Sequence, residues 1–280
     1  MRLIVTGAGG MLGRAVVDAA TRLGHDVHAA TRSQLDVTNP VALRRVMREQ
    51  RPHAVVNCAA YTDVDGAEAD PATAEAVNST GAGNVAEAAA EVGAAIVHVS
   101  TDYVFDGCKR EPLLESDPTA PLGVYGETKL AGEVAVAAAN PAHAIVRTAW
   151  LFGSGGKNFV DTMLALGAQR EEVSVVCDQT GCPTWTGHLA RALVQLAEQP
   201  GATGIHHLAA AGSCSWNELA REVFERAEIA CRVLPATTED FPRPARRPAY
   251  SVLGSERVDA IALPPWRAGV AEYLATRVAA

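Results

Sequence analysis

No segment of the 280 residues is apolar for long enough to cross a bilayer, although hydrophobic residues make up 48% of the chain, so no membrane span is expected. The opening Met1-Arg2-Leu3-Ile4-Val5-Thr6 runs straight into glycines, with no room for a charged head, an apolar stretch and a cleavage site. This predicts a cytoplasmic protein. The formal charge is −8 and no basic stripe is present, so no nucleic-acid partner is expected and an anionic ligand must be held by local groups. The cysteines (Cys58, Cys108, Cys177, Cys182, Cys214 and Cys231) lie far apart, and none forms a Cys-x-x-Cys pair. That spacing argues against a zinc knuckle or a redox dithiol and predicts reduced, structural thiols. Repeats and low-complexity tracts are also missing; the abundant alanine is compositional bias. A chain of this length exceeds one typical domain and suits a large core with a small appendage.

What is present is an alternation. Short β-branched runs at 3–6, 26–30, 54–58, 95–100 and 144–148 alternate with amphipathic, alanine-rich stretches at 12–23, 41–50 and 82–92. Strand, helix, strand at this spacing predicts right-handed crossovers and a parallel sheet covered on both faces, an α/β Rossmann-like doubly wound fold. After Trp150 the rhythm loosens: a glycine loop at 153–156, a short helix from Asn158, a strand at 173–177 and turns at 178–186. A helix at 188–198 and a strand at 204–209 return to the main sheet. Ser215 is placed to cap a helix at 217–226, Pro235, Pro242, Pro244 and Pro248 break the next stretch, and a last helix covers 266–276. The expected domains are a nucleotide-binding unit from 1–152 and 182–212, and a smaller C-terminal substrate-binding lobe from 153–181 and 213–280.

Gly7, Gly10 and Gly13 stand three apart between the first strand and the first helix. There a backbone must turn sharply and approach a pyrophosphate resting on a helix N-terminus. In the register Gly-x-Gly-x-x-Gly the last position is Leu12, so the spacing departs from the common dehydrogenase form and points to the short-chain reductases. Thr31-Arg32 follow the second strand, with no acid there for a ribose 2′-hydroxyl; Arg32 either pairs with a 2′-phosphate or points to solvent. The first option favours NADPH, with NADH possible. Asp36-Val37 would suit the adenine edge.

Tyr125 and Lys129 lie four residues apart, hence on one face of a helix, and Ser100-Thr101 end a buried strand. Reduction of a ketone needs hydride at carbon and a proton at oxygen, and a phenol can supply the proton when a nearby ammonium stabilises its phenolate. Lys129 would do this while holding the nicotinamide ribose, and Thr101 would orient the tyrosine and the substrate oxygen. A surface Tyr and Lys at helical spacing would look the same.

Two blocks make the resemblance specific: Ser100-Thr101-Asp102-Tyr103-Val104-Phe105-Asp106-Gly107 and Val124-Tyr125-Gly126-Glu127-Thr128-Lys129-Leu130-Ala131-Gly132-Glu133. Both closely resemble the signatures of the dTDP-4-dehydrorhamnose reductase family. Matches continue through Val56-Asn57-Cys58-Ala59-Ala60-Tyr61-Thr62, Val64-Asp65, Glu68, Asn78, Arg147-Thr148-Ala149-Trp150, Asp178-Gln179-Thr180-Gly181-Cys182-Pro183-Thr184, Arg247-Pro248-Ala249-Tyr250-Ser251-Val252-Leu253 and Leu263-Pro264-Pro265-Trp266.

The resemblance implies a reductase that uses NADPH or NADH on the 4-keto group of a dTDP-linked 6-deoxyhexulose, most directly dTDP-4-dehydro-L-rhamnose. It implies Tyr125 as proton donor, Lys129 as its partner and Thr101 as the tuning hydroxyl. Gly10, Met11, Leu12, Asp36, Val37, Ala59, Ala60 and Tyr61 fall where the family touches cofactor. Thr62, Val64, Thr101, Asp102, Tyr103 and Trp150 fall where it faces the sugar, and Arg247 suits a diphosphate or base. Tyr103, Trp150 and Trp266 are either substrate-stacking groups or core aromatics. Cys108 is read as a spectator thiol near the site.

A homodimer is the family expectation. Some members carry an acid two positions after the third glycine that helps bind magnesium at a dimer contact; this chain has Ala15 there, so no metal is expected. His206-His207 would face opposite sides of a strand and make a poor chelate. Two alternatives share these residues. One is a secondary-metabolite dTDP-keto-sugar reductase, such as a dihydrostreptose-type synthase. The other is a non-catalytic nucleotide-binding regulatory subunit like that of methionine adenosyltransferase, which also resembles the family.

Overall fold

The computed structural model describes residues 1–199 and 201–278. The first half runs β1 (Arg2–Thr6), α1 (Met11–Arg22), β2 (Asp26–Ala30), α2 (Pro40–Gln50), β3 (Ala54–Asn57), α3 (Val64–Ala69), α4 (Pro71–Glu75), a π-turn at Ala76–Thr80, α5 (Gly81–Ala90), β4 (Ala95–Thr101), α6 (Val124–Ala139) and β5 (His143–Thr148). The second half runs β6 (Leu151–Phe152), α7 (Phe159–Gly167), β7 (Glu172–Val176), β8 (Thr180–Gly181), β9 (Thr184–Trp185), α8 (Thr186–Glu198), β10 (Gly204–His207), β11 (Ala210–Ala211), β12 (Cys214–Ser215), α9 (Trp216–Arg226), β13 (Arg232–Ala236), β14 (Leu263–Pro265) and α10 (Trp266–Val278).

Six of these strands form one parallel sheet in the order β2-β1-β3-β4-β5-β10. Its strands read as almost unbroken apolar runs because both faces are covered. Leu3, Val5, Val56, Val97 and Val146 pack under α1 and α8, while the intervening Ile4, Val55, Ile96 and Ile145 pack under α2 and α5. Each such residue, fully buried, contributes roughly 1.5–3 kcal/mol. The alternation therefore ties strand register to the helices on either side.

A third apolar cluster lies outside this sheet and joins Val160, Met163, Val173, Val175, Leu219, Val223, Phe224, Trp266, Val270 and Tyr273. Within it β13 pairs with β7 in parallel. Ser215 caps α9 as expected: its hydroxyl accepts from Glu218 N at 3.2 Å and the Glu218 carboxylate accepts from Ser215 N at 2.7 Å. The short α3, α4 and the π-turn fill the stretch between β3 and α5, for which no element is predicted from the sequence.

Candidate active site

A cavity of about 910 Å³ opens along the carboxyl ends of β1, β3 and β4, where the winding of the sheet reverses between β1 and β3. Gly7 has φ +66°, and a side chain there would begin 2.6 Å from Ala59 N. Only glycine lets β1 turn this close to the loop after β3. Helix α1 starts at Met11 after Gly10, with no side-chain cap and no acid in its first turn, so its first N–H groups and the positive end of its dipole face the cavity. Arg32, Leu35, Asp36 and Val37 line the neighbouring wall. Arg32 is exposed and has no ion-pair partner among the described residues. The N–H and hydroxyl of Thr38 bind Asp36 at 2.9 and 2.8 Å and hold its carboxyl below the usual range.

At the other end of the cavity Thr101 from β4 meets Tyr125 and Lys129 from α6. Lys129 is 2% exposed and donates to Val99 O at 2.7 Å; burial pulls its ammonium down to about 8. Tyr125 is half-buried, with its ring edge-on to Tyr103 at 5.4 Å. Burial pushes the phenol up to about 12, opposed by the neighbouring Thr101 hydroxyl, whose own proton goes to Asp102 Oδ1 at 3.1 Å, and the lowering sought from Lys129 is not present. Two side chains outside the signature blocks set α6 in place. Glu68 accepts from Val124 N at 2.9 Å, capping a helix whose N-cap Gly123 has no side chain. Asn78, from the π-turn, accepts from Tyr61 N at 2.8 Å and donates to Tyr61 O and to Thr128 Oγ1, both at 3.1 Å.

Thr62, Val64, Asp102, Tyr103 and Trp150 line the third wall. Asp102 is 2% exposed, and burial pushes its carboxyl up to about 6. Trp150 adopts φ +48°, unusual for a bulky residue. Its ring lies flat on Trp216, with centroids 3.5 Å apart and planes 2° apart, and Trp216 Nε1 donates to Gln179 Oε1 at 3.1 Å. Trp216, Lys157 and Cys58 also line the cavity, and sequence reasoning singled out none of them for it.

Two anticipated contacts lie elsewhere. Thr31 turns its N–H and hydroxyl to Gln34 Oε1 at 3.0 and 2.8 Å and does not line the cavity. Arg247 is held by Asp65, Nη1 to Oδ1 at 2.6 Å and Nη2 to Oδ2 at 2.8 Å, so its fork is already filled by a carboxylate. Trp266 is a core residue at 2% exposure, and Cys108 is exposed and off the cavity. The cavity thiol is instead Cys58, pushed up to about 12 by burial and therefore unreactive. His207 Nδ1 sits 2.8 Å from Gly254 O and 3.1 Å from Leu113 O, so it carries the proton in a structural tie.

This constellation has close relatives. The family model described as "RmlD substrate binding domain" matches residues 1–278. The chain belongs to that family. The dTDP-4-dehydrorhamnose reductase of Mycobacterium tuberculosis is 48% identical over 283 residues, spanning 98% of this chain and 92% of the relative. A probable dTDP-4,6-dihydroxy-2-methyloxan-3-one 4-ketoreductase of Streptomyces antibioticus is 46% identical, spanning 97% of this chain and 94% of its own. Among solved structures, a dTDP-4-dehydrorhamnose reductase from Bacillus anthracis in complex with NADP superposes with a TM-score of 0.95 at 40% identity, covering 98% of this chain and 99% of that one. The blocks around Thr101 and Tyr125 supply Thr101, Asp102, Tyr103, Tyr125 and Lys129 to one end of the cavity.

Proposed function

We propose that the protein reduces the 4-keto group of a dTDP-linked 6-deoxyhexulose with NADPH, most directly dTDP-4-dehydro-L-rhamnose to dTDP-L-rhamnose. The observation that carries this reading is one cavity with an uncapped helix N-terminus behind a glycine turn at one end and Thr101, Tyr125 and Lys129 at the other. The first end suits a dinucleotide pyrophosphate, and the exposed Arg32 beside it, without an ion-pair partner among the described residues, suits a 2′-phosphate. Gly7, Gly10, Met11, Leu12, Gly13, Asp36, Val37, Ala59, Ala60 and Tyr61 would hold the cofactor from the walls they line.

A reduced nicotinamide supplies hydride to the carbonyl carbon when bound. Tyr125 gives its proton to the oxygen as negative charge develops there, and Thr101 fixes the direction of that phenol. Lys129, tethered at Val99 O, points its remaining protons into the cavity and stabilises the phenolate that Tyr125 becomes. The stacked Trp150 and Trp216, with Thr62, Val64, Asp102 and Tyr103, form the wall against which the sugar is oriented and from which water is displaced.

Residues 153–181 and 213–280 serve in this reading as the substrate lobe: most of the third apolar cluster comes from them, completed by Phe152 and Ala210, and they send Lys157 and Trp216 into the shared cavity. Their division of labour with 1–152 and 182–212 follows. The same reading carries a cytoplasmic location, supported by free thiols throughout, and a homodimer, which sedimentation tests.

A second reading, reduction of another dTDP-4-keto sugar in a secondary pathway, draws on the Streptomyces antibioticus relative. Competition among dTDP-4-keto-6-deoxyhexoses for limiting enzyme with NADPH or NADH separates the two. Preferred turnover of dTDP-4-dehydro-β-L-rhamnose is expected. Preference for a different keto sugar would move the assignment to the second reading, and no turnover of any would overturn both.

A further inference from the structure

We infer that Glu133 is a positioning residue for the reductase site, its carboxylate clamped between Ser100 and Arg147 so that α6 holds Tyr125 and Lys129 in register on β4. The inference rests on the proposed reductase reading and deepens it. Tyr125, Lys129 and Glu133 follow one another at four-residue intervals and so share a stripe of α6. Consecutive residues at the end of β4 meet that stripe: Val99 O accepts from Lys129 at 2.7 Å and Ser100 Oγ donates to Glu133 Oε1 at 2.6 Å, while Thr101 lines the same cavity wall as Tyr125. Slipping the helix by one residue would break both bonds. Of the two, the Ser100–Glu133 bond is also locked from a third element. Arg147 on β5 donates to Glu133 through Nε at 2.9 Å and Nη2 at 2.7 Å, with side-chain exposures of 2% and 5%.

An ion pair so completely buried is weak evidence for stability, since apolar side chains of the same volume fill such a space as well. Its geometry instead fixes position. The Arg147 guanidinium also lies 5.0 Å from the centre of the Phe105 ring, at the end of the turn that carries Asp102 and Tyr103. The clamp thus joins the proton-donor helix to the sugar-facing turn through Glu133 and Arg147, neither of which lines the cavity.

The clamp also bears on the charge of Lys129. Three groups act on that ammonium: Glu133 from its own helix, the Cys58 thiol after β3 and His98 from β4. Burial keeps Cys58 a neutral thiol and His98 a neutral imidazole, so Glu133 is the carboxylate that offsets the desolvation of Lys129. Glu68 from α3 is spent on the N-terminal N–H of α6, the π-turn presents the uncharged Asn78, and Arg147 from β5 faces the far side of Glu133.

The test is Glu133→Gln in the full chain, with NADPH affinity followed by fluorescence from pH 6 to 10 and kcat measured over the same range. The amide keeps the shape and an acceptor oxygen but loses the charge. We expect kcat at neutral pH to fall at least about tenfold, and the alkaline limits of both NADPH affinity and kcat to move about one pH unit to lower pH. A variant that melts earlier yet has wild-type kcat and unmoved limits would make Glu133 a purely structural residue and overturn the inference. Should Glu133→Gln fail to fold, Ser100→Ala loosens the clamp and leaves the charges; lowered kcat with unmoved limits is expected, and wild-type kcat overturns the inference. If the wild-type protein turns over no dTDP-keto sugar, the reductase reading fails separately, while the NADPH affinity profile still decides the role of Glu133.

Discussion

Replacing Tyr125 with Phe deletes one oxygen from the cavity wall and leaves the ring. The edge-on contact with Tyr103 at 5.4 Å survives, and α6 keeps its cap from Glu68, so the fold and the shape of the site are unchanged. Among the described residues the phenol oxygen has no side-chain partner to lose, since Thr101 Oγ1 donates to Asp102 Oδ1, so folding is little affected. The loss in the reaction is larger. A positioned general acid contributes about 10²–10⁴ in rate, or roughly 3–5 kcal/mol of barrier. Because the phenol acts where negative charge develops on the carbonyl oxygen, kcat should carry the loss and KM for the dTDP-sugar should stay within about twofold. Stopped-flow oxidation of NADPH under saturating substrate reads kcat, and a fluorescence titration confirms that the cofactor still binds. A Tyr125→Phe protein within about threefold of wild-type kcat would remove Tyr125 from the proton transfer.

Three further outcomes follow from the same geometry. Lys129 must be charged to support Tyr125, and burial lowers it to about 8; kcat/KM should therefore hold below that pH and fall as pH rises through it, and a flat profile to pH 10 would contradict its role. Trp216→Ala strips the support from the face of Trp150 and should raise KM for the sugar nucleotide by about tenfold while NADPH affinity stays unchanged; an unaltered KM would mean that the wall stands without it. Arg32→Ala should narrow any preference for NADPH over NADH by about tenfold or more, measured as a ratio of kcat/KM, and an unchanged ratio would show that the guanidinium points to solvent.

The parallel sheet was legible because burial on both faces leaves runs such as Leu3-Ile4-Val5 and Val55-Val56 with no polar interruption, the first followed directly by α1 with its one apolar stripe. Gly7, Tyr125 and Lys129 were legible for a related reason: their meaning lies in local spacing, a turn before a helix or one helical turn. Contacts between distant segments left no such trace. Arg247 beside a proline reads as a free cation, and only the fold brings it to Asp65, 182 residues earlier in the chain. Ser215 announced the start of α9, yet nothing local revealed that the first residue of that helix, Trp216, would lie flat on Trp150. The Glu133–Arg147 clamp is similar. A glutamate four residues after a lysine reads as a surface pair until β5 closes over it.

The measurement that bears most directly on the account is a single turnover with NADPH deuterated at the transferable position of the nicotinamide and dTDP-4-dehydro-β-L-rhamnose, the product being identified by NMR. The account predicts dTDP-L-rhamnose with deuterium on C4 of the sugar, formed by the wild-type protein and almost not at all by Tyr125→Phe. An unreduced sugar, or one labelled at another carbon, would contradict it.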